Sequence, residues 1–307
     1  MTTRRSAWVL FLGAAVAAAG ALEVALAAAP APRKSPPLYV GLRRSSYGLR
    51  KKNADDAWWV ERAKAFAARF PGSTPLVLQI VSGYQAPDGS TEMEFAKPGG
   101  YSGETAHMTF RPGAIDHERA LGAYDAAGVR TVLQFESGSA DPARCIEAAW
   151  LQFKQHPCVA GFALDAEWYF TRQSADKTGR PIADADARKW MEQVLALRSD
   201  LILVLKHWDP KHMPPAYRHP NLWLLSDSQK FADQAAWLAD LAAWAKAFQG
   251  STVGFQFGYP KDRPWWSKLD APPVTLGKVL AERVPSCRCL LWVDFTADEV
   301  EFAAKAR

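Results

Sequence analysis

The sequence predicts one α/β domain, a parallel (β/α)8 or TIM barrel over residues 38–307, on three observations. Short runs of apolar and β-branched residues recur eight times, segments with helical periodicity separate them, and the theme continues to the end of the chain. The length of 307 residues accommodates a barrel of roughly 250 residues after an N-terminal segment is set aside. With 49% hydrophobic and 22% charged residues the composition is that of a globular protein with a full core, which excludes disordered and fibrous classes.

Taken in order, residues 1–29 read as an export signal. Arg4 and Arg5 precede an apolar stretch from Ala7 to about Leu22, followed by small residues with A-x-A spacing at Ala25–Ala27 and Ala27–Ala29. The apolar run is shorter than the ~20 residues of a membrane span, and Glu23 ends it, so cleavage and no lasting membrane insertion are expected. A Pro-rich linker, residues 30–37, comes next. The strands are then expected at "LYVGL" from Leu38, "PLVLQIVS" from Pro75, "VRTVLQFES" from Val129, "VAGFALDAEW" from Val159, "LILVLKHW" from Leu201, "NLWLLSDS" from Asn221, "STVGFQFGY" from Ser251 and "CRCLLWVDF" from Cys287. A helix is predicted over residues 231–248, where Trp237, Leu241, Trp244 and Phe248 recur at helical spacing before Gly250. Thr296 and Glu299, in capping-box spacing, predict a closing helix. No glycine-rich phosphate loop follows the first strand, which counts against a doubly wound sheet. The segment from Tyr84 to Phe110, long, polar and Gly-containing, is expected to be either a lid over substrate or a disordered insertion.

Charge excludes one partner class. The formal net charge of +5 falls to +4 once residues 1–29, with Arg4, Arg5 and Glu23, are removed, and the basic residues are scattered, so no nucleic-acid partner is expected. An exported chain can form disulfides, but the spacing of Cys145, Cys158, Cys287 and Cys289 identifies no pairs. The 13 tryptophans tilt the partner class toward carbohydrate, because an indole stacks on the apolar face of a sugar ring.

Chemistry in such barrels gathers at the C-terminal strand ends, and these turn polar here: Glu136, Asp165 with Glu167, Lys206 with His207, Asp227, Gln256 and Asp294. In "GFALDAEWYF" strand alternation puts Gly161, Ala163, Asp165 and Glu167 on one face, toward the lumen, and Phe162 and Leu164 on the other. Two carboxylates on one face repel, so one holds its proton near neutral pH, which is what a proton donor to a glycosidic oxygen requires. Trp168 beside them is expected to form part of a sugar-binding wall.

At this point the sequence resembles a family. "AGFALDAE" is similar to the fourth-strand motif D-G-x-D-x-D-x-E of family 18 glycoside hydrolases, with Gly161, Asp165 and Glu167 in matching places and Ala160 and Ala163 where the first two acidic residues stand. The resemblance implies Glu167 as catalytic acid/base and Asp165 as the residue that orients the substrate's acetamido group. It implies Trp292 in "LLWVDF" as the floor of the sugar site, and Asp227 as the acid of a Tyr-Asp pair whose tyrosine is replaced by Ser226. The expected site is therefore Glu167, Asp165 and Asp227 as catalytic residues, with Trp292, Asp294, Glu136, Gln256, Trp168 and Lys206 against an oligosaccharide or polysaccharide. No cofactor and no metal are expected, and the chain is read as an exported monomer, periplasmic or extracellular.

Three alternatives stand beside this reading. A glycosidase with two protein carboxylates needs a nucleophile other than Gln256 on the seventh strand, such as Asp227, Asp294 or Glu136. A metal-dependent deacetylase is suggested by His207, Asp209 and His212, although a spacing of five suits neither a helix face nor a strand face. A carbohydrate-binding barrel without activity would account for the replaced motif positions.

Overall fold

A computed structural model of the protein describes residues 39–49, 55–84 and 86–302. The expected signal segment and linker lie outside them. The described strands are β1 (Tyr39–Arg44), β2 (Thr74–Tyr84), β3 (Thr91–Met93), β4 (Met108–Phe110), β5 (Arg130–Phe135), β6 (Val159–Asp165), β7 (Ile202–Lys206), β8 (Leu222–Ser226), β9 (Thr252–Phe257) and β10 (Cys287–Trp292). Eight of them, β1, β2 and β5 to β10, pair in parallel with their sequence neighbours, and β1 pairs with both β2 and β10, which closes the barrel. All eight expected strands are present.

The segment expected as a lid or a disordered insertion is not a disordered insertion: its described residues add two short strands to the sheet. β3 runs antiparallel to the end of β2, and β4 pairs in parallel with β3.

Around the barrel lie α1 (Asp56–Ala67), α2 (His117–Ala127), α3 (Pro142–Phe153), α4 (Asp184–Leu197), α5 (Gln234–Ala247), α6 (Arg263–Trp266) and α7 (Pro272–Arg283). Four of them start on an aspartate whose side chain accepts a backbone N–H of the first turn: Asp55, Asp116, Asp141 and Asp233. α5 begins three residues later than predicted, because Asp233 caps it, and this leaves Phe231 in the preceding loop. Between β7 and β8 there is only a 3-10 turn, Pro210–His212. Among the described residues the start of the expected closing helix is a second departure, and its remainder, from residue 303, lies outside them. Residues Asp294–Thr296 form a 3-10 turn, and the Thr296 hydroxyl donates to the Gly258 carbonyl and accepts the Trp292 indole N–H instead of capping a helix.

Strand alternation sorts the core into two layers. Leu78, Val132, Ala163, Val204, Leu225 and Leu291 fill the lumen. Val77, Leu133, Phe162, Leu164, Leu205 and Leu290 face the helices. On β6 the register shifts between Thr131 and Val132 of its neighbour, so that Ala160 joins the lumen as well as Ala163. Gly161 is required for space: a Cβ there would stand 2.0 Å from the Ile202 carbonyl oxygen on β7. Following the inward phase to the strand ends brings Arg43, Gln134, Asp165, Lys206 and Gln256 to one mouth, with Glu136 and Asp227 just beyond β5 and β8. All four cysteines are buried free thiols, and burial pushes the Cys287 thiol up to about 12.

Candidate active site

β6 and β7 end side by side, with Asp165 and Lys206 paired in register. The Lys206 ammonium lies 2.6 Å from Asp165 Oδ2 and 2.5 Å from Asp227 Oδ2, and all three residues are at least nine-tenths buried. Glu167 is not on the strand as expected. The chain turns into a 3-10 helix at Ala166–Trp168, and this turn carries it. The turn still brings Glu167 to the same place: one oxygen each from Asp165, Glu167 and Asp227 lie within 4.8 Å of one another. Lys206 bridges two of these carboxylates, supplying the positive charge that a metal ion would bring to such a group.

Charge sets the protonation pattern. Burial works against the Lys206 ammonium, but Asp165 and Asp227 hold its proton well above the ordinary lysine range. One ammonium between two carboxylates leaves a surplus negative charge in a buried place, and Asp165 is raised by burial and by Asp227 against the pull of Lys206. Glu167, half-buried beside them, is pushed up to about 7 by burial first and then by the charges of Asp165 and Asp227. A carboxylic acid that still holds its proton near neutral pH can donate it.

Around this centre four buried oxygens accept no hydrogen bond: Asp165 Oδ1, Asp227 Oδ1, Gln134 Oε1 and Gln256 Oε1. The Gln134 amide donates to Asp165 Oδ2 at 3.4 Å. The Gln256 amide donates to the Tyr259 hydroxyl, which donates to Asp227 Oδ2 at 3.5 Å. On the β1 side Arg43 donates to the Tyr47 hydroxyl at 2.7 Å, and Tyr47 donates to Glu136 at 2.5 Å.

The expected residues divide in two. Glu167, Asp165, Asp227, Lys206, Gln256 and Glu136 converge on the mouth. Trp292 does not, and Asp294 stands beside Arg43 with its acceptors already taken. Trp292 is fully buried on the helix side of β10, its ring against Phe257 and Trp266, so it presents no face to a sugar. Asp294 is also fully buried, bound at 2.6 Å by Arg43 and at 2.7 and 2.6 Å by the Ser45 N–H and hydroxyl, and its bonding is taken up inside the protein. Trp168 is half-buried on the Glu167 turn.

Glu167 opens on a cleft of about 440 Å³ whose aromatic walls are Trp208 and Phe231. Trp208, 40% exposed, is backed by the His207 ring, which is stacked in turn on His212. Sequence reasoning missed Trp208, although it lies two residues past Lys206 and so in the inward phase of β7. His207 uses both ring nitrogens, on the Thr178 carbonyl and the Asp209 N–H, so the metal-ligand alternative finds no free nitrogen there.

No family model matches the chain, and no curated protein does. The resemblance to family 18 thus rests on the quoted strand residues alone. Several solved structures are similar at low identity. An α-L-fucosidase GH29 from Bacteroides thetaiotaomicron has 11% identity and a TM-score of 0.42 over 78% of this chain, which spans only 54% of that enzyme. The YdhT protein from Bacillus subtilis has 12% identity and a TM-score of 0.44 over 87% of this chain and 83% of that one. The unliganded α-L-fucosidase AlfC from Lactobacillus casei has 8% identity and a TM-score of 0.40 over 83% and 87%. At this level of similarity they carry no argument about the reaction, which has to come from the side chains.

Proposed function

We propose that the protein is an exported glycoside hydrolase in which Glu167 protonates the leaving glycosidic oxygen. One observation carries the reading: a half-buried carboxyl held protonated up to about pH 7 by burial and two neighbouring carboxylates, opening on a cleft with an exposed indole. Trp208 offers the flat apolar surface on which a sugar ring stacks. No carboxylate stands at the end of β9, where Gln256 lies. In this reading the substrate's own 2-acetamido oxygen attacks the anomeric carbon, and Asp165 Oδ1, buried and without a partner, accepts the acetamido N–H and offsets the positive charge of the cyclised intermediate. The substrate is then an N-acetylhexosamine-containing glycan, cleaved with retention.

Glu167→Gln keeps the shape and removes the proton. It is expected to lower kcat by about 10²- to 10⁴-fold while leaving sugar affinity near that of the native chain, as measured by glycoside turnover and calorimetry. Full activity in that variant ends the proposal, and binding without turnover by the native chain favours a non-catalytic barrel.

A second reading has its own support. Asp227 Oδ1 is unpartnered and the carboxylate lies within 4.8 Å of Glu167, close to the ~5–5.5 Å of retaining carboxylate pairs, so Asp227 would be the nucleophile. A covalent glycosyl adduct on Asp227, found by mass spectrometry, selects that reading; inhibition by a thiazoline, with matching glucosides inert, selects the first.

A further inference from the structure

The cleft beside Glu167 carries charge that protonation of a glycosidic oxygen does not use. Lys230 and Lys261 both line it, from the loops after β8 and β9. These loops are joined by Asp262, a buried carboxylate whose Oδ1 accepts the Phe231 N–H at 2.7 Å. Lys230, immediately before Phe231, takes φ of 75°, a left-handed conformation that a residue with a side chain adopts only when its surroundings hold it there. The two lysines are thus delivered to one cleft by a tied pair of loops.

Their charges are not spent on any carboxylate of the described residues. Lys206 and Lys211 each lie within ion-pair distance of two carboxylates and Lys189 of one, whereas neither Lys230 nor Lys261 has a carboxylate at that distance among the described residues. The other acidic groups lining the cleft are Asp240 and Glu167, and Glu167 is largely protonated below neutral pH. Two ammonium groups thus line the cleft, while the barrel mouth next to it sets Asp165 and Asp227 against Lys206 alone, so of the two regions the cleft is the richer in cations.

We infer that this cleft binds a sugar residue bearing a carboxylate, adjacent to the sugar whose glycosidic bond Glu167 protonates. The inference rests on the glycosidase reading and narrows it. The acceptor-rich mouth takes a sugar that offers N–H and O–H donors, and the donor-rich cleft takes its carboxylated neighbour over the Trp208 ring. The substrate is a glycan in which an N-acetylhexosamine alternates with an acidic sugar.

Calorimetry on the full chain carrying Glu167→Gln tests this with one tetrasaccharide of alternating N-acetylglucosamine and glucuronic acid, as the free acid and as its methyl ester. The acid is expected to bind roughly fivefold more tightly than the ester, the scale of two exposed ion pairs. That ratio should fall to about one in about 0.5 M salt. It should also fall to about one when Lys230→Gln and Lys261→Gln are added, with affinity for the ester unchanged. Equal binding of acid and ester overturns the inference and leaves the glycosidase reading standing, as does an equal loss for both ligands in the lysine variant. Failure of both ligands to bind overturns the two together.

Discussion

Two buried cations stand at the mouth of the barrel, and their surroundings differ in one respect that separates scaffold from chemistry. Arg43 on β1 meets Asp294, one positive charge for one negative, and the remaining oxygen of Asp294 takes two donors from Ser45. Every acceptor in that group is occupied. Lys206 on β7 meets Asp165 and Asp227, one charge for two, with Glu167 nearby and an oxygen of each aspartate unpartnered. A balanced, satisfied pair holds β1 to the chain after β10. An unbalanced one stores a proton at Glu167 and leaves acceptors for a ligand.

The comparison predicts opposite responses to the same chemical change. Asp294→Asn strands the Arg43 charge in a buried site and is expected to cost about 3–5 kcal/mol of stability. Asp227→Asn removes surplus charge while Lys206 keeps Asp165, so its stability should stay within about 1 kcal/mol of the native chain or rise above it. Urea unfolding of both variants near pH 7 checks this. A large loss in Asp227→Asn would mean that the Lys206 group is a structural clamp like the other.

A smaller effect should appear in the pH profile. With Glu167 as donor, kcat falls as pH rises through about 7. Because the charge of Asp227 contributes to holding that proton, residual turnover in Asp227→Asn should lose its alkaline limb at a lower pH than the native chain. An unmoved limb would assign the titration to another group.

What the sequence disclosed depended on whether a strand's inward phase could be read. On β6 the small residues Gly161 and Ala163 against Phe162 and Leu164 distinguish the faces, so the inward place of Asp165 was legible; the register shift that also turns Ala160 inward and the 3-10 turn at Glu167 were not, since nothing in "AEW" marks the strand's end. β10 offers no such contrast in "CRCLLWVDF". Cys289 and Leu291 turn out to face the lumen, which puts Trp292 among the helices, and Val293 then ends the strand before Asp294. The partnership of Arg43 with Asp294 joins residues 251 positions apart, and no local spacing reveals it. Lys230 and Lys261 converge through Asp262, a contact between two loops with no shared period.

A last expected effect separates the two groups through stability itself. In the native fold Glu167 holds its proton up to about pH 7, against an ordinary value of 4.5. Between those values the folded chain binds more protons than the unfolded one, so stability falls as pH rises. The contribution of this group is fully present below about 4.5, declines through the interval, and is gone above about 7. A glutamine at that position carries no charge at any pH. Glu167→Gln should therefore unfold at nearly the native denaturant midpoint at pH 4.5 and at a higher midpoint than the native chain at pH 8. The same comparison at Arg43 offers no such difference, because that group has no surplus charge to relieve. If the two curves for Glu167→Gln and the native chain run parallel from pH 4.5 to 8, Glu167 ionises in the fold as it does in the unfolded chain, and the unbalanced group around Lys206 does not hold its proton.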